Sequence, residues 1–246
     1  MASRQMLKRV GIVGLIPFLA MGGWGTPAFA SGPYLTDDAS LTTVDTAQFE
    51  AWMRAGRNGW ETWILPATRI APNLELTLGS GTERGEDGGL EADYVAQLKT
   101  LFRETRPNDW GIGLAAGGTV GADGRPAGGP AGGFYAYIPA SLSLLDGRVL
   151  GHLNLGTLYD SRQANPWNGT WSVRAEGVAL PDLIELSAEW HGDMLSLPYY
   201  QAGVRYWLAP PGTRLDLTVL GQANRDVQIS LGISLFEVIQ RKGPQR

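Results

Sequence analysis

The chain has 246 residues, a length that suits one domain once a leader is set aside. It holds 34 glycines, two histidines and no cysteine, which argues against a helical protein and a zinc site and excludes disulfide frameworks and thiolate metal centres. The net charge of −4 argues against nucleic-acid partners, which need basic faces, and no cofactor is expected.

The first 30 residues have the organisation of a secretory signal. Arg4, Lys8 and Arg9 form a positive region, residues 10–21 a short apolar stretch, and Ala28-Phe29-Ala30 a small-x-small cleavage site. The apolar stretch is short for a membrane-spanning helix. Cleavage after Ala30 is expected; it removes three basic residues and no acid, which takes the net charge from −4 to about −7. Residues 31–47 carry Asp37 and Asp38 and show no alternation. They are expected at the periplasmic side as a tail or as a partial plug in the lumen, where this acidic, Thr-rich stretch would pair with Arg69, Arg205 or Arg214.

From Phe49 to Phe236 the chain repeats segments of about ten residues in which every second side chain is apolar. In the last of them Val227, Ile229, Leu231, Ile233 and Leu235 alternate with Gln228, Ser230, Gly232 and Ser234. A strand shows its side chains to opposite faces with period two, so this is a ribbon with one oily and one wet face. Strands are predicted over 48–55, 60–70, 74–82, 90–103, 110–121, 134–144, 148–159, 170–179, 183–191, 199–208, 214–221 and 227–236. A C-terminal tail follows over 237–246.

The connections after the second, sixth, eighth and tenth predicted strands are tight, and the one after the fourth is modest. Those after the third, fifth and seventh are long and rich in Gly, Pro or Asn. The short connections at 56–59 and 222–226 weaken the contrast. Short turns at one end and longer loops at the other, behind a signal, predict an all-β fold: a transmembrane antiparallel up-and-down barrel of about twelve strands in the outer membrane of a Gram-negative bacterium. Outer-membrane lipid and the barrel-assembly machinery are its expected partners. A soluble lipocalin-type barrel is the rival fold, since parity alone does not say which face points inward.

The apolar faces would meet lipid, with Trp60, Trp110, Trp171, Trp190 and Tyr200 near strand ends as interfacial aromatics. The opposite faces carry Glu50, Arg54, Glu61, Arg69, Glu75, Asp93, Lys99, Arg174, Glu176, Glu185, Glu189, His191, Arg205, Arg214 and Asp216. Charges on a lipid face are costly, so this set is expected to line the lumen. The turns place Arg174 opposite Glu189, Arg205 opposite Asp216 and Arg54 opposite Glu61. Acids outnumber bases, so an open path would favour cations or neutral solutes. The reading is a passive channel for an unspecified small solute, not an enzyme. One alternative is a closed structural barrel. The other is a lipid hydrolase built on Ser141, His152 and Asn154, whose parity points into the lumen rather than to lipid.

The opening Gly32-Pro33-Tyr34-Leu35-Thr36-Asp37-Asp38 resembles the Pro-Phe-x-Thr-Asp-Asp start of a Gram-negative outer-membrane family that includes the MetA-pathway-of-phenol-degradation proteins. Phe49-Glu50-Ala51-Trp52 and Asn73-Leu74-Glu75-Leu76-Thr77 fit its next segments, while Ala39 stands where proline is common. The resemblance covers the N-terminal third by motif and implies a transport barrel for small, often hydrophobic, compounds. The end departs from outer-membrane habit, because Phe236 has inward parity and ten residues follow it.

Overall fold

The structure, a computed structural model, describes residues 32–85, 88–122, 133–160, 166–223 and 227–238. The expected signal (1–30), most of the two longest connections and most of the C-terminal tail lie outside the described residues. Twelve strands follow one another: β1 (Ala47–Gly56), β2 (Gly59–Ala71), β3 (Leu74–Arg84), β4 (Leu90–Arg103), β5 (Trp110–Gly121) and β6 (Gly133–Leu144). The second half comprises β7 (Val149–Asp160), β8 (Trp167–Leu180), β9 (Ile184–Asp193), β10 (Tyr199–Ala209), β11 (Thr213–Gln222) and β12 (Gln228–Leu235). Each pairs antiparallel with its sequence neighbours, and β12 returns to pair with β1, from Phe49 opposite Leu235 to Ala55 opposite Ile229. The sheet is closed and has no free edge, which removes the hazard of unpaired N–H and C=O groups. Among the described residues no helix is long and apolar enough to cross a membrane.

The predicted strands all form, and most extend by one to three residues. β8 starts at Trp167, three residues early, because its ladder with β7 continues through Leu158 opposite Asn168 to Tyr159 opposite Trp167. Hydrogen bonding outlasts the apolar alternation there, so the pattern alone underestimates the strand.

Burial settles which face is inside. On β12, Ile229 and Leu231 are 57% and 58% exposed, while Ser230 and Ser234 are fully buried. The same inversion runs around the wall, with Leu78, Leu98, Ile138, Leu186 and Leu217 exposed and Arg54, Lys99, Arg174, Glu189 and Asp216 buried. A soluble barrel would have the reverse; this exterior is built to meet lipid. Trp110, Trp167, Trp190 and Tyr200 are exposed on it at or near strand ends, and Arg103 lies 4.1 Å above the Trp110 ring. Trp60 and Trp171 are half-buried on the same face.

Two seams of the wall are interrupted. The β2–β3 register passes from Ile64–Ser80 to Ala67–Thr77, and the β5–β6 register from Ile112–Ala140 to Ala115–Tyr137. A proline lies at each gap, Pro66 on β2 and Pro139 on β6, and a proline has no N–H to give to the neighbouring strand. At the end of the barrel that holds both strand termini, the β6–β7 turn runs through Leu145, Asp146 and Gly147, all at positive φ. It is tied to the β4–β5 connection by Asn108, which donates to the Asp146 carboxylate at 2.5 Å and accepts from the Asp146 N–H at 2.8 Å.

Candidate functional site

The interior has two chemically different walls. On β1 to β7 a cluster of Trp52, Trp63, Leu65, Val95, Ala115, Tyr135, Tyr137 and Leu158 is buried inside the barrel. Trp52 and Trp63 stack at 6.4 Å, and Tyr135 and Tyr137 at 6.2 Å. Trp63 lies flat across Gly81 of the next strand, where a Cβ would come within 2.5 Å of the indole. The glycine is the space that lets a large ring lie along a narrow wall. The sequence reading missed this apolar half, although Trp52 shares its parity with Glu50 and Arg54.

A dense ionic network lies on β8 to β12, and further buried charges sit on β1 to β4 among the aromatic cluster. Arg205 bridges Glu176 at 2.5 Å and Asp216 at 2.9 Å, Arg174 pairs with Glu176 at 2.6 Å, and Arg214 with Asp216 at 3.2 Å. Arg54 on β1 pairs with Glu61 at 2.7 Å. The structure also buries Glu75, Asp93 and Lys99 inside the barrel. Arg69 and Glu185 are less deeply covered at the terminal end, where Glu185 accepts from Trp207 at 3.1 Å. Arg174 is opposite Glu189 in register, but its ion pair is with Glu176, two residues along its own strand. Glu189 is turned instead toward the N-terminal segment.

Residues 32–42 run inside the barrel, and 43–45 are exposed at its terminal end. Pro33, Tyr34, Thr36 and Ala39 are at most 1% exposed. Glu189 accepts the N–H groups of Leu35 (3.0 Å) and Thr36 (2.9 Å). Glu50 accepts from the Gly32 N–H at 2.8 Å, and Glu75 from the Thr42 N–H at 2.6 Å. In the other direction Arg54 and Gln201 donate to the Pro33 carbonyl at 2.8 and 3.0 Å. Oriented to satisfy both its groups, the Asn154 amide brackets Asp37, accepting from its N–H at 2.8 Å and donating to its carbonyl at 2.9 Å.

Two side chains of the segment are read individually. The Tyr34 ring lies between Arg205 and Arg174, whose guanidinium carbons are 4.5 and 5.0 Å from its centroid, and its hydroxyl accepts from Ser187 at 2.7 Å. The Asp37 carboxylate meets Lys99 Nζ at 2.9 and 3.0 Å and accepts from the Tyr137 hydroxyl at 2.7 Å. Burial pushes the Tyr34 phenol and the Asp37 carboxyl above their ordinary values, opposed by Arg205 and Lys99 respectively. Of the three arginines expected to meet the segment, Arg69 donates to the Leu41 and Thr42 carbonyls and Arg205 lies over Tyr34, while the Asp37 carboxylate pairs with Lys99. Lys99 is the cation whose height on the wall matches the depth reached by the segment.

The lumen is therefore filled. At mid-depth Glu50, Arg54, Arg205, Asp216 and Ser230 are between 0 and 4% exposed. A cavity of about 80 Å³ remains beside Glu50, Glu75, Lys99 and Arg214, room for a few waters. Ser141 Oγ is hydrogen-bonded to His152 Nδ1 at 2.8 Å and accepts from the Ala39 N–H, and His152 Nε2 is 3.5 Å from Glu176. Asn154 is turned to Asp37, so the third group beside this serine and histidine is Glu176, whose charge is already shared by Arg174 and Arg205.

The chain belongs to the family described as Uncharacterised conserved protein UCP029691, which it matches over residues 19–233. No curated protein matches it. Among solved structures it is similar to the KdgM porin, with a TM-score of 0.59 at 9% identity over 76% of this chain and 98% of that one. It is also similar to the NanC porin, at 0.56 and 8% over 77% and 98%. A third is the Pseudomonas putida toluene transporter TodX, at 0.52 and 8% over 88% and 98%. These likenesses establish the fold, that of outer-membrane barrel channels.

Proposed function

We propose that this member of the family is an outer-membrane channel that passes small solutes, and that residues 32–42 must leave the lumen for it to conduct. The observation that carries the reading is the inverted barrel: an apolar outside around a charged, hydrogen-bonded inside. A charged, hydrogen-bonding interior is what a path for polar solutes requires. With the segment withdrawn, Glu50, Glu75 and Glu189 lose their amide donors and Lys99 loses Asp37, so the vacated path carries net negative charge and prefers cations. Kinship with the phenol-degradation transporters is supported by the 32–38 motif. The serine and histidine on β6 and β7 are read as part of the wall's hydrogen bonding, because the Ser141 hydroxyl is already used by Ala39 and faces the lumen.

A closed structural barrel is the second reading, favoured by how completely the mid-depth side chains are buried. Planar-bilayer conductance of the purified protein and of a variant lacking residues 32–42, with membrane fractionation of both, separates the two. Small conductance that rises in the deletion variant and favours cations is expected. A deletion variant that folds and stays silent favours the structural barrel. Recovery of the protein in the osmotic-shock supernatant defeats the outer-membrane assignment.

A further inference from the structure

We propose that the lumen is a receptor for short peptides carrying a carboxylate, with the chain's own residues 33–42 as the tethered occupant. The inference rests on the channel reading and names its solute class.

Most of what the wall recognises in the segment is main chain. Glu189 takes two successive N–H groups, Arg54 gives to a carbonyl, and Asn154 holds both the N–H and the carbonyl of one residue. Those groups are the same in every peptide. An amide side chain bonded to both polar groups of a single residue fixes an extended backbone without asking what its side chain is. Wall-to-segment contacts of this kind are made along the segment from Gly32 to Thr42.

Apart from Thr42, whose hydroxyl donates to Glu75 at 2.7 Å, side-chain reading falls at two places three residues apart. One is a ring site, where Tyr34 lies between Arg174 and Arg205 with its hydroxyl on Ser187. Gly203 closes that site, since a Cβ there would collide with the Tyr34 hydroxyl. Arg174 Nη1 and Arg205 Nη2 are buried without a hydrogen-bond partner, so both can still donate to a carbonyl or carboxylate oxygen of a better-placed guest. The other is a carboxylate site, Lys99 with Tyr137, occupied by Asp37.

Withdrawal of the segment strands complementary charges. It leaves Lys99, 5% exposed, without its carboxylate, and Glu189, 4% exposed, without its two N–H donors. Exchanging these partners for water in the vacated lumen gives up charge-assisted hydrogen bonds, which is a cost. A solute that restores both sides offsets that cost, and this links solute binding to plug release. A neutral sugar or a hydrocarbon offers neither a carboxylate nor a row of amide donors. A peptide offers both, by an acidic side chain or by its C-terminus.

The test uses the barrel lacking residues 32–42, folded in detergent and in planar bilayers. Three probes are added: the peptide Gly-Pro-Tyr-Leu-Thr-Asp-Asp, an unrelated peptide Gly-Ala-Phe-Ala-Ser-Glu-Gly with the same aromatic-to-acid spacing, and raffinose as a neutral solute. Binding is read by tryptophan fluorescence, from Trp52 and Trp63 inside the lumen, and by block of the ion current. Both peptides are expected to bind at least about tenfold more tightly than raffinose, and Glu189→Gln or Asn154→Ala to weaken both by a similar factor. Equal binding of raffinose overturns the proposal, as does binding of the native-sequence peptide alone, which would make the site a self-plug. A folded barrel that conducts nothing defeats the channel reading, while the fluorescence measurement still decides this one.

Discussion

Lys99 of β4 and Asp37 of the internal segment face each other at 2.9 and 3.0 Å, both nearly inaccessible to water. This contact joins the wall to what fills it. Lys99→Glu places a carboxylate against Asp37, beside Glu75, and is expected to expel the segment and raise single-channel conductance. Lys99→Met is expected to be milder, because burial already raises the Asp37 carboxyl, which then takes up a proton and stays. The pair Lys99→Glu with Asp37→Lys should return conductance toward the parent. A conductance unchanged by Lys99→Glu, in a barrel that still migrates as folded, would mean that this contact does not hold the segment.

The stacking of Trp63 on Gly81 makes a second prediction. Gly81→Val puts a branched side chain into space the indole occupies, and overpacking of this kind costs about 1–3 kcal/mol. The heat-modifiable gel transition should move to lower temperature. Trp63→Ala in the same background should recover part of the loss. If the double variant is no more stable than the single one, the glycine serves something other than room for the ring.

How much of this could be read in advance differs between wall and contents. Alternation exposed the strands because lipid and lumen sort side chains with period two, and Leu231 and Ser230 needed no tertiary information to be placed apart. The facing of Arg54 and Glu61 was legible because a two-residue connection fixes the β1–β2 register. Trp52, Trp63 and Tyr135 were hidden because aromatics suit strands on either face, and a glycine on the neighbouring strand is not visible along one sequence. The contacts of the internal segment were out of reach for another reason. Leu35 and Glu189 are 154 residues apart, and no local rule brings them together. That the Asp37 carboxylate meets Lys99 follows from where the segment runs, which is a property of the assembled barrel.

The β4–β5 connection gives a pH dependence whose sign can be worked out. The Arg103 hydrogen bonds, at 2.5 and 2.7 Å, hold the exposed Asp109 carboxyl below its ordinary value. A carboxyl depressed in the folded state contributes order that is present above its unfolded value near ~3.9 and is lost as pH falls through the folded one. Amide-exchange protection of this turn, after correction for intrinsic rates, should be flat from pH 5 to 8, within roughly the range where carboxylates stay ionised, and fall below ~4. Arg103→Gln should remove the acid-side change. Protection that falls between pH 6 and 7 would point to a different group.

The strand register supports a last prediction away from the ion pairs, where substitution leaves the lumen intact. Ala175 of β8 faces Ala188 of β9, and Ala202 of β10 faces Val219 of β11, all on the lipid side. Directly opposed residues in an antiparallel ladder have Cα atoms about 4.5–5.5 Å apart, within reach of a disulfide. Cysteine pairs at 175/188 and at 202/219 should therefore oxidise readily, whereas 175/187 should not, because Ser187 points inward toward Tyr34. A lipid-soluble maleimide should label Ala188→Cys in membranes and spare Ser187→Cys. A slip of one residue would exchange the two faces of β9 together, so labelling at 187 with protection at 188 would reject both the register and the inward placement of Glu189.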